Sequence, residues 1–443
     1  MKKLWRASAV AGLACAAGAC ADVVESEQDE ALEAQAADLE TARRHRRPNY
    51  LALNLSSAGN ASSGNSINDL GWVAGSDNLS AEITHATLWR WGRRDDLGTL
   101  GGPNSSVAWP VKNLRGLVVG IAETDQDNPL GEEWSCSAFF PTITRKNCRG
   151  FAWERGEMRS LPTLGGYNSY ATGANNRKEI VGWAENQVHD TSCTSPQVLQ
   201  FHAVMWGPGR DDMQELLPLP EDSTSAATAI NDSGQVVGIS GSCSIAVGGY
   251  SARAAVMWED GVPTDIGNLG GIAWNTPTSI NERGDVVGFS NTSPADENRF
   301  RARGFLWTRS GGIEDLETLE GDVLSQALGI NEQRQVVGTS CTAGFASCRA
   351  FLYEDGTLYD LNELIVPYGY HLTAANDIND LGVITGVAQK NDSEERRAFV
   401  AIPLPRHLRR GAAQEGRNQV LLGEAARQEL LLQLGLARAE LAE

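Results

Sequence analysis

The chain has 443 residues, 41% of them hydrophobic, and it carries 47 glycines but only five methionines. That is ample for a core, excludes a disordered chain, and suits a turn-rich β protein better than a helical one. With 37 Lys and Arg against 56 Asp and Glu the net charge is −19, which argues against a nucleic-acid partner, since phosphate binding needs a basic face.

The first element is MKKLWRASAVAGLACAAGAC. Lys2, Lys3 and Arg6 precede a short apolar run that ends in small residues, the pattern of an export signal and too short for a spanning helix. AGAC at 17–20 resembles a bacterial lipoprotein cleavage box with Cys20 as the lipidated residue, and plain secretion is the other reading. Residues 21–48 run from acidic (ESEQDEALE) to basic (RRHRRP) and read as a charged linker.

From residue 49 the chain repeats itself. SINDLGWVAG (66–75), AINDSGQVVG (229–238), SINERGDVVG (279–288), GINEQRQVVG (329–338) and DINDLGVITG (377–386) are copies of one element. VKNLRGLVVG (111–120) and GANNRKEIVG (173–182) are two worn copies. The seven are anchored on Asn68, Asn113, Asn175, Asn231, Asn281, Asn331 and Asn379, spaced 45, 62, 56, 50, 50 and 48 residues apart. Residues 223–271 show the whole unit. A strand near ATAIN turns through Asn-Asp-Ser-Gly into QVVGIS. A variable loop leads to RAAVMW, and Glu-Asp-Gly turns the chain into a fourth strand near PTDIGNL.

Four short strands per period of about 50 residues is a propeller signature, and the 3.6-residue apolar spacing of a helical solenoid is missing. The last copy stops after its third strand, near Ile402, while NYLALNLSS (49–57) stands before the first hairpin as DLGTLGG stands before later ones. The expectation is an all-β, seven-bladed propeller over 49–405, closed by its N-terminal strand, with no open sheet edge and monomeric. In 406–443, Leu422, Ala426, Leu430, Leu434, Ala437 and Leu441 form the stripe of an amphipathic helix.

At these repeats the chain resembles the HAF repeat family of bacterial extracellular proteins. That family repeats a His-Ala-Phe-Leu-Trp strand, a D-L-G-T-L-G-G strand and an I-N-x-x-G-x-V-V-G hairpin. HATLW (85–89) and HAVMW (202–206) keep His-Ala but lose Phe, and GFLW (304–307) and AFLY (350–353) keep the aromatic pair but lose His. The resemblance spans about residues 49–405 and implies an exported repeat protein, with no catalytic residues or cofactor to carry over.

Alternate connections of a four-strand meander lie at opposite ends. The short N-D-x-G and E-D-G turns share one face, and the long loops after V-V-G share the other with the G-G connections. Cys136, Cys148, Cys193, Cys243, Cys341 and Cys348 all fall in the long loops. Proximity suggests the disulfides Cys136–Cys148, Cys193–Cys243 and Cys341–Cys348, one of the 15 pairings that six cysteines allow. Zinc is the rival reading, disfavoured because no C-x-x-C is present; His189-Asp190 with Cys193 is the best metal seed.

No catalytic constellation stands out. Gly238-Ile-Ser240 and its equivalents lack the second glycine of a nucleophile elbow and share one repeat position. The acids before the fourth strand (Asp96, Asp265, Asp315, Asp360) also recur, which favours a structural role. No cofactor is expected. Trp109, Trp134, Tyr167, Tyr170, Trp183 and Trp274 lie on or near the long-loop face and are the candidate ligand contacts, with burial between blades the competing reading for each. The function expected is an exported, lipid-anchored or secreted binding module for a glycan, peptide or protein at the cell envelope. The alternative is a propeller polysaccharide hydrolase or lyase.

Overall fold

The computed structural model describes residues 50–404, apart from 91, 133–138, 210–211, 245–246 and 297–298. The leader with Cys20, the linker 21–48, the stripe in 406–443, Trp134 and Cys136 therefore lie outside the described residues.

Strands along the described chain form seven four-stranded antiparallel sheets, six of them plain meanders. We number these blades in chain order. In blade 4 the strands are Thr224–Ile230, Val236–Gly241, Ala254–Glu259 and Val262–Asp265. The first two are buried along their whole length and the fourth is largely exposed, so the first lines the axis and the fourth the rim. Near-continuous apolar and small residues suit inner strands covered on both faces by neighbouring blades.

Blade 7 closes the ring as the repeat pattern requires. Tyr50–Asn54 pairs with Arg396–Pro403, with Tyr50 opposite Pro403 and Asn54 opposite Phe399. The segment after this strand also takes the role of an outer-strand exit. The Ser56 carbonyl accepts the Trp89 indole N–H at 2.7 Å, as Pro162 accepts Trp206 at 3.0 Å and Leu217 accepts Trp258 at 2.8 Å. The recurrent tryptophan of the third strand is thus a clasp onto the preceding blade.

Each residue of the repeated hairpin has a separate physical duty. The turn glycine takes positive φ, 83° at Gly234; where the copies lack it, Lys178 and Arg334 adopt 65° and 60°. The glycine of V-V-G has no room for a side chain, because a Cβ on Gly238 would collide with the carbonyl of Ala226. The asparagine does most. Asn231 Oδ1 accepts the Gln235 N–H at 3.0 Å inside its own turn. Its Nδ2 reaches the next blade and donates to the Asn281 carbonyl at 3.0 Å.

That link recurs around the axis. Asn175 donates to the carbonyl of Asn231, Asn281 to Asn331, Asn331 to Asn379, Asn379 to Asn68, and Asn68 to Asn113, at 3.0–3.2 Å. The ring breaks only between Asn113 and Asn175, where the Leu114 N–H instead donates to Asn176 Oδ1 at 2.7 Å. A second ring lies beside it, formed by the residue after each asparagine. Asp232, Glu282, Glu332, Asp380 and Asp69 each accept the backbone N–H of the preceding blade's turn, at 2.6–2.9 Å.

Replacing Asn231 by Ala strands the buried Asn281 carbonyl and the Gln235 amide, and should cost about 2–3 kcal/mol in urea denaturation. Asn231→Asp keeps the turn acceptor but sets a carboxylate oxygen against the Asn281 carbonyl, so it should cost at least as much; a fully stable aspartate variant would show that the inter-blade link contributes nothing.

Candidate functional site

The two mouths of the axis differ in kind. At the short-turn end the residues before the asparagines fill the axis: Ile67, Ala174, Ile230, Ile280, Ile330 and Ile378 are all buried. The worn second copy places Lys112 at this level. Its ammonium crosses the axis to the carbonyls of Ile330 and Ile378, and pairs with Asp377 at 3.1 Å. Asp377 is fully buried and also accepts the Ile67 N–H at 2.8 Å. Burial pushes the Asp377 carboxyl up, and Lys112 opposes that rise. The short-turn end is therefore closed by packed isoleucines and one ion pair.

The long-loop end is elaborated. Cys193–Cys243 and Cys341–Cys348 are disulfides, as spacing suggests, and Cys148 is disulfide-bonded. The Cys193–Cys243 bond ties the long loops of blades 3 and 4. It also removes the metal reading of His189-Asp190-Cys193, since the two sulfurs near Asp190 are bonded to each other.

Of the candidate aromatics, Trp109, Tyr170 and Trp183 come together, with Phe139 and Phe201. The rings meet edge-on or tilted, Phe139–Tyr170 at 5.0 Å, Tyr170–Trp183 at 6.5 Å and Trp183–Phe201 at 5.5 Å. Tyr170 and Trp183 are each only 1% exposed, which corrects the expectation that they present a surface to a ligand. They are packing beneath the long loops. Trp109 is half-buried in a bend just after the blade 2 inner strand, and Tyr167 is half-buried on a G-G connection.

Beside this cluster sits a buried acid pair. Glu185 accepts the Tyr167 and Asn168 backbone N–H groups and the side chains of Asn168 and Gln197, at 2.8–3.2 Å. Glu132 accepts the N–H groups of Val198 and Leu199 at 2.9 and 2.6 Å, tying the blade 2 loop to blade 3. Burial, and then the charge of Glu132, push Glu185 up to about 7. Burial raises Glu132 as well, opposed in part by His189. Arg149, on the neighbouring blade 2, adds its charge to the surroundings of Glu185. Both carboxylates hold loops in place.

A second aromatic group lies elsewhere, in which Phe345 is exposed and Trp274 and Phe300 are half-buried. Trp274, on the connection between blades 4 and 5, has φ of 61° and meets Phe300 edge-on at 5.2 Å. Phe300 in turn meets Phe345 at a tilt, with centroids 5.5 Å apart. Phe345 sits inside the Cys341–Cys348 loop with φ of 59° and is 49% exposed. Left-handed backbone at non-glycine residues costs energy and clusters where loops hold a side chain for use. Beyond Phe345 a cleft of about 830 Å³ opens between blades 6 and 7, lined by Gln326, Thr339, His371, Gln389, Lys390 and Asp392 among others. Phe300, Phe345 and His371 escape a reading of the sequence. The available signal was an aromatic inside a seven-residue disulfide spacing, CTAGFASC.

Residues 217–401, fewer than half of the chain, match a family model described as a protein of unknown function, DUF3466. No curated protein matches. Among solved structures the chain is similar to a puromycin-hydrolysing peptidase of Mycobacterium tuberculosis, with 11% identity and a TM-score of 0.35 over 79% of this chain and 56% of that one. It is similar to dipeptidyl peptidase 4 of Porphyromonas gingivalis, with 10% identity and a TM-score of 0.37 over 81% and 60%. It is also similar to an ulvan lyase from a new family of polysaccharide lyase, with 9% identity and a TM-score of 0.37 over 83% and 98%. The chain spans less than two thirds of the length of either peptidase.

Two outcomes follow from these buried charges. Lys112→Met leaves Asp377 buried without its cation and should cost about 3 kcal/mol, most of which Lys112→Met/Asp377→Asn recovers in chemical denaturation. Because the folded pKa of Glu185 is raised, the unfolded state releases its proton first as pH rises; stability should fall from about pH 4.5 to about pH 7, and Glu185→Gln should flatten that slope in melting curves across the range.

Proposed function

We propose that this propeller is a carbohydrate-binding module, exported and anchored through Cys20, whose ligand lies in the cleft between blades 6 and 7. The observation that carries the reading is the cleft itself. It is the roomiest cavity among the described residues, it opens on the face where the repeats differ, and Phe345 is held over its rim. The chemistry suits a sugar chain. Phe345, backed edge-on and tilted by Phe300 and Trp274, offers an apolar ring for C–H surfaces, and Gln326, Thr339, Gln389 and Asn391 offer donors and acceptors for hydroxyls. The packed short-turn end supports entry from the long-loop face. A peptide or an envelope protein is the other partner class that this surface would fit.

One observation favours the enzymatic alternative. His371 lines the same cleft beside Lys390, Asp392 and Arg396, so an imidazole, a carboxylate and two cations stand where a sugar would lie. Turnover, rather than binding alone, would support a hydrolase or lyase.

The test is a glycan array, followed by calorimetry on any hit, with the mature protein and its Phe345→Ala and Trp274→Ala variants. Each variant should keep its melting temperature and lose about tenfold or more in affinity, the range of one hot-spot aromatic. Absence of any glycan hit, or full affinity in both variants, would overturn the proposal.

A further inference from the structure

The seam between blades 7 and 1 carries a feature that no other seam repeats. The third residue of the N-D-x-G turn is Leu70 in blade 1 and Leu381 in blade 7, whereas the other five copies have Arg115, Arg177, Ser233, Arg283 and Gln333. The two leucines are 45% and 62% exposed. They stand at the mouth of an apolar groove of about 200 Å³ whose floor includes Val73, Trp89, Val400 and Ile402. Exposed apolar side chains occur elsewhere on the short-turn face, at Leu114 and Val262, but only here do two of them flank an apolar groove among the described residues, which marks a contact.

The described residues end at this place, at Leu404. Third strands run toward the short-turn face, so Pro403, paired with Tyr50, lies at that end of the seam. Leu404 is buried in the same apolar cluster as Val73, Trp89 and Val383. Thirty-nine residues follow in the sequence, 405–443. They open with the basic run Arg406, His407, Arg409 and Arg410, and then carry the leucine stripe. The turns beside the groove present Asp69 and Asp380, the first of which accepts the Asp380 N–H at 2.9 Å. Glu332, Glu282 and Asp232 continue that acidic ring around the axis. Chain length, point of departure, apolar match and charge match converge on one occupant.

We infer that the groove is the seat of this chain's own C-terminal segment. Leu430 and Leu434 of the stripe cover Leu70 and Leu381, and the basic run lies against the carboxylates of the short-turn ring. The segment caps the closed mouth of the axis and covers the seam where the first and last strands meet. This goes beyond the ligand reading, since it concerns the opposite face.

Hydrogen–deuterium exchange of the full-length protein tests it. Residues 419–441 should exchange at least tenfold more slowly in the native chain than in Leu381→Asp, with the blade strands unchanged. Leu430→Asp, placed outside the propeller, should release the same segment and leave Leu381 intact. Equal, fast exchange in all three proteins would overturn the inference. So would protection that persists in Leu381→Asp, or protection that disappears on dilution together with a dimer in sedimentation, since a second copy would then fill the groove.

Discussion

Everything in this molecule rests on one hydrogen bond made again and again: an asparagine side chain donating across a blade boundary to the backbone of the next asparagine. A blade on its own is a small twisted sheet with two apolar faces, and it is stable only when both are covered. The asparagine ties the covering of those faces to the geometry of the turn, because the same amide closes its own hairpin and reaches the neighbour. Blades joined by this link at six of the seven boundaries, and by the Leu114–Asn176 bond at the other, cannot slide independently. Register in one turn is transmitted to the next through a bond of about 3 Å.

This explains why the fold is so legible. In I-N-x-x-G-x-V-V-G, the isoleucine fills the axis, the asparagine links blades, the first glycine takes left-handed backbone, and the last allows close approach of the inner strand. None of these duties tolerates much substitution, so the pattern survives as a repeat. A second regularity is harder to see. One repeat position in or just before every third strand is basic: His85, Arg149, His202, Arg253, Arg303, Arg349 and Arg397. His85 meets Asp96 at 2.8 Å, Arg303 meets Asp315 at 3.0 Å and Arg349 meets Asp360 at 3.1 Å, which accounts for most of the recurring acids before the fourth strand. Histidine and arginine alternate there because the requirement is a nitrogen donor to a carboxylate, not one side-chain shape. A motif defined by histidine reads that as decay.

The candidate site is less legible, and for a physical reason. Its face follows from strand parity, but exposure depends on loop conformation, which the repeats do not encode. Where the repeats do speak, they speak for burial. Trp183 occupies the position of Ile121, Ile239 and Phe289, one residue past the glycine of V-V-G, and every one of these is buried. Tyr170 stands opposite Trp183 as Ala226 stands opposite Ile239. Phe300 and Phe345 lie instead where the copies differ in length, so no alignment of one blade on another places them.

The closure of the ring sets a timetable for folding. Blades 1 to 6 each pair strands that follow one another in the chain, so each can assemble from local contacts. Blade 7 cannot, because residue 52 pairs with residue 401. Contacts of such long range are slow to form, and the loop entropy must be met before they give anything back. A nascent chain thus carries its first strand unpaired until nearly all the rest exists, and a partly made propeller is an open arc with an exposed edge. Completion is a single late event, and it divides every copy of the molecule into those that have closed and those that present a sticky end to one another.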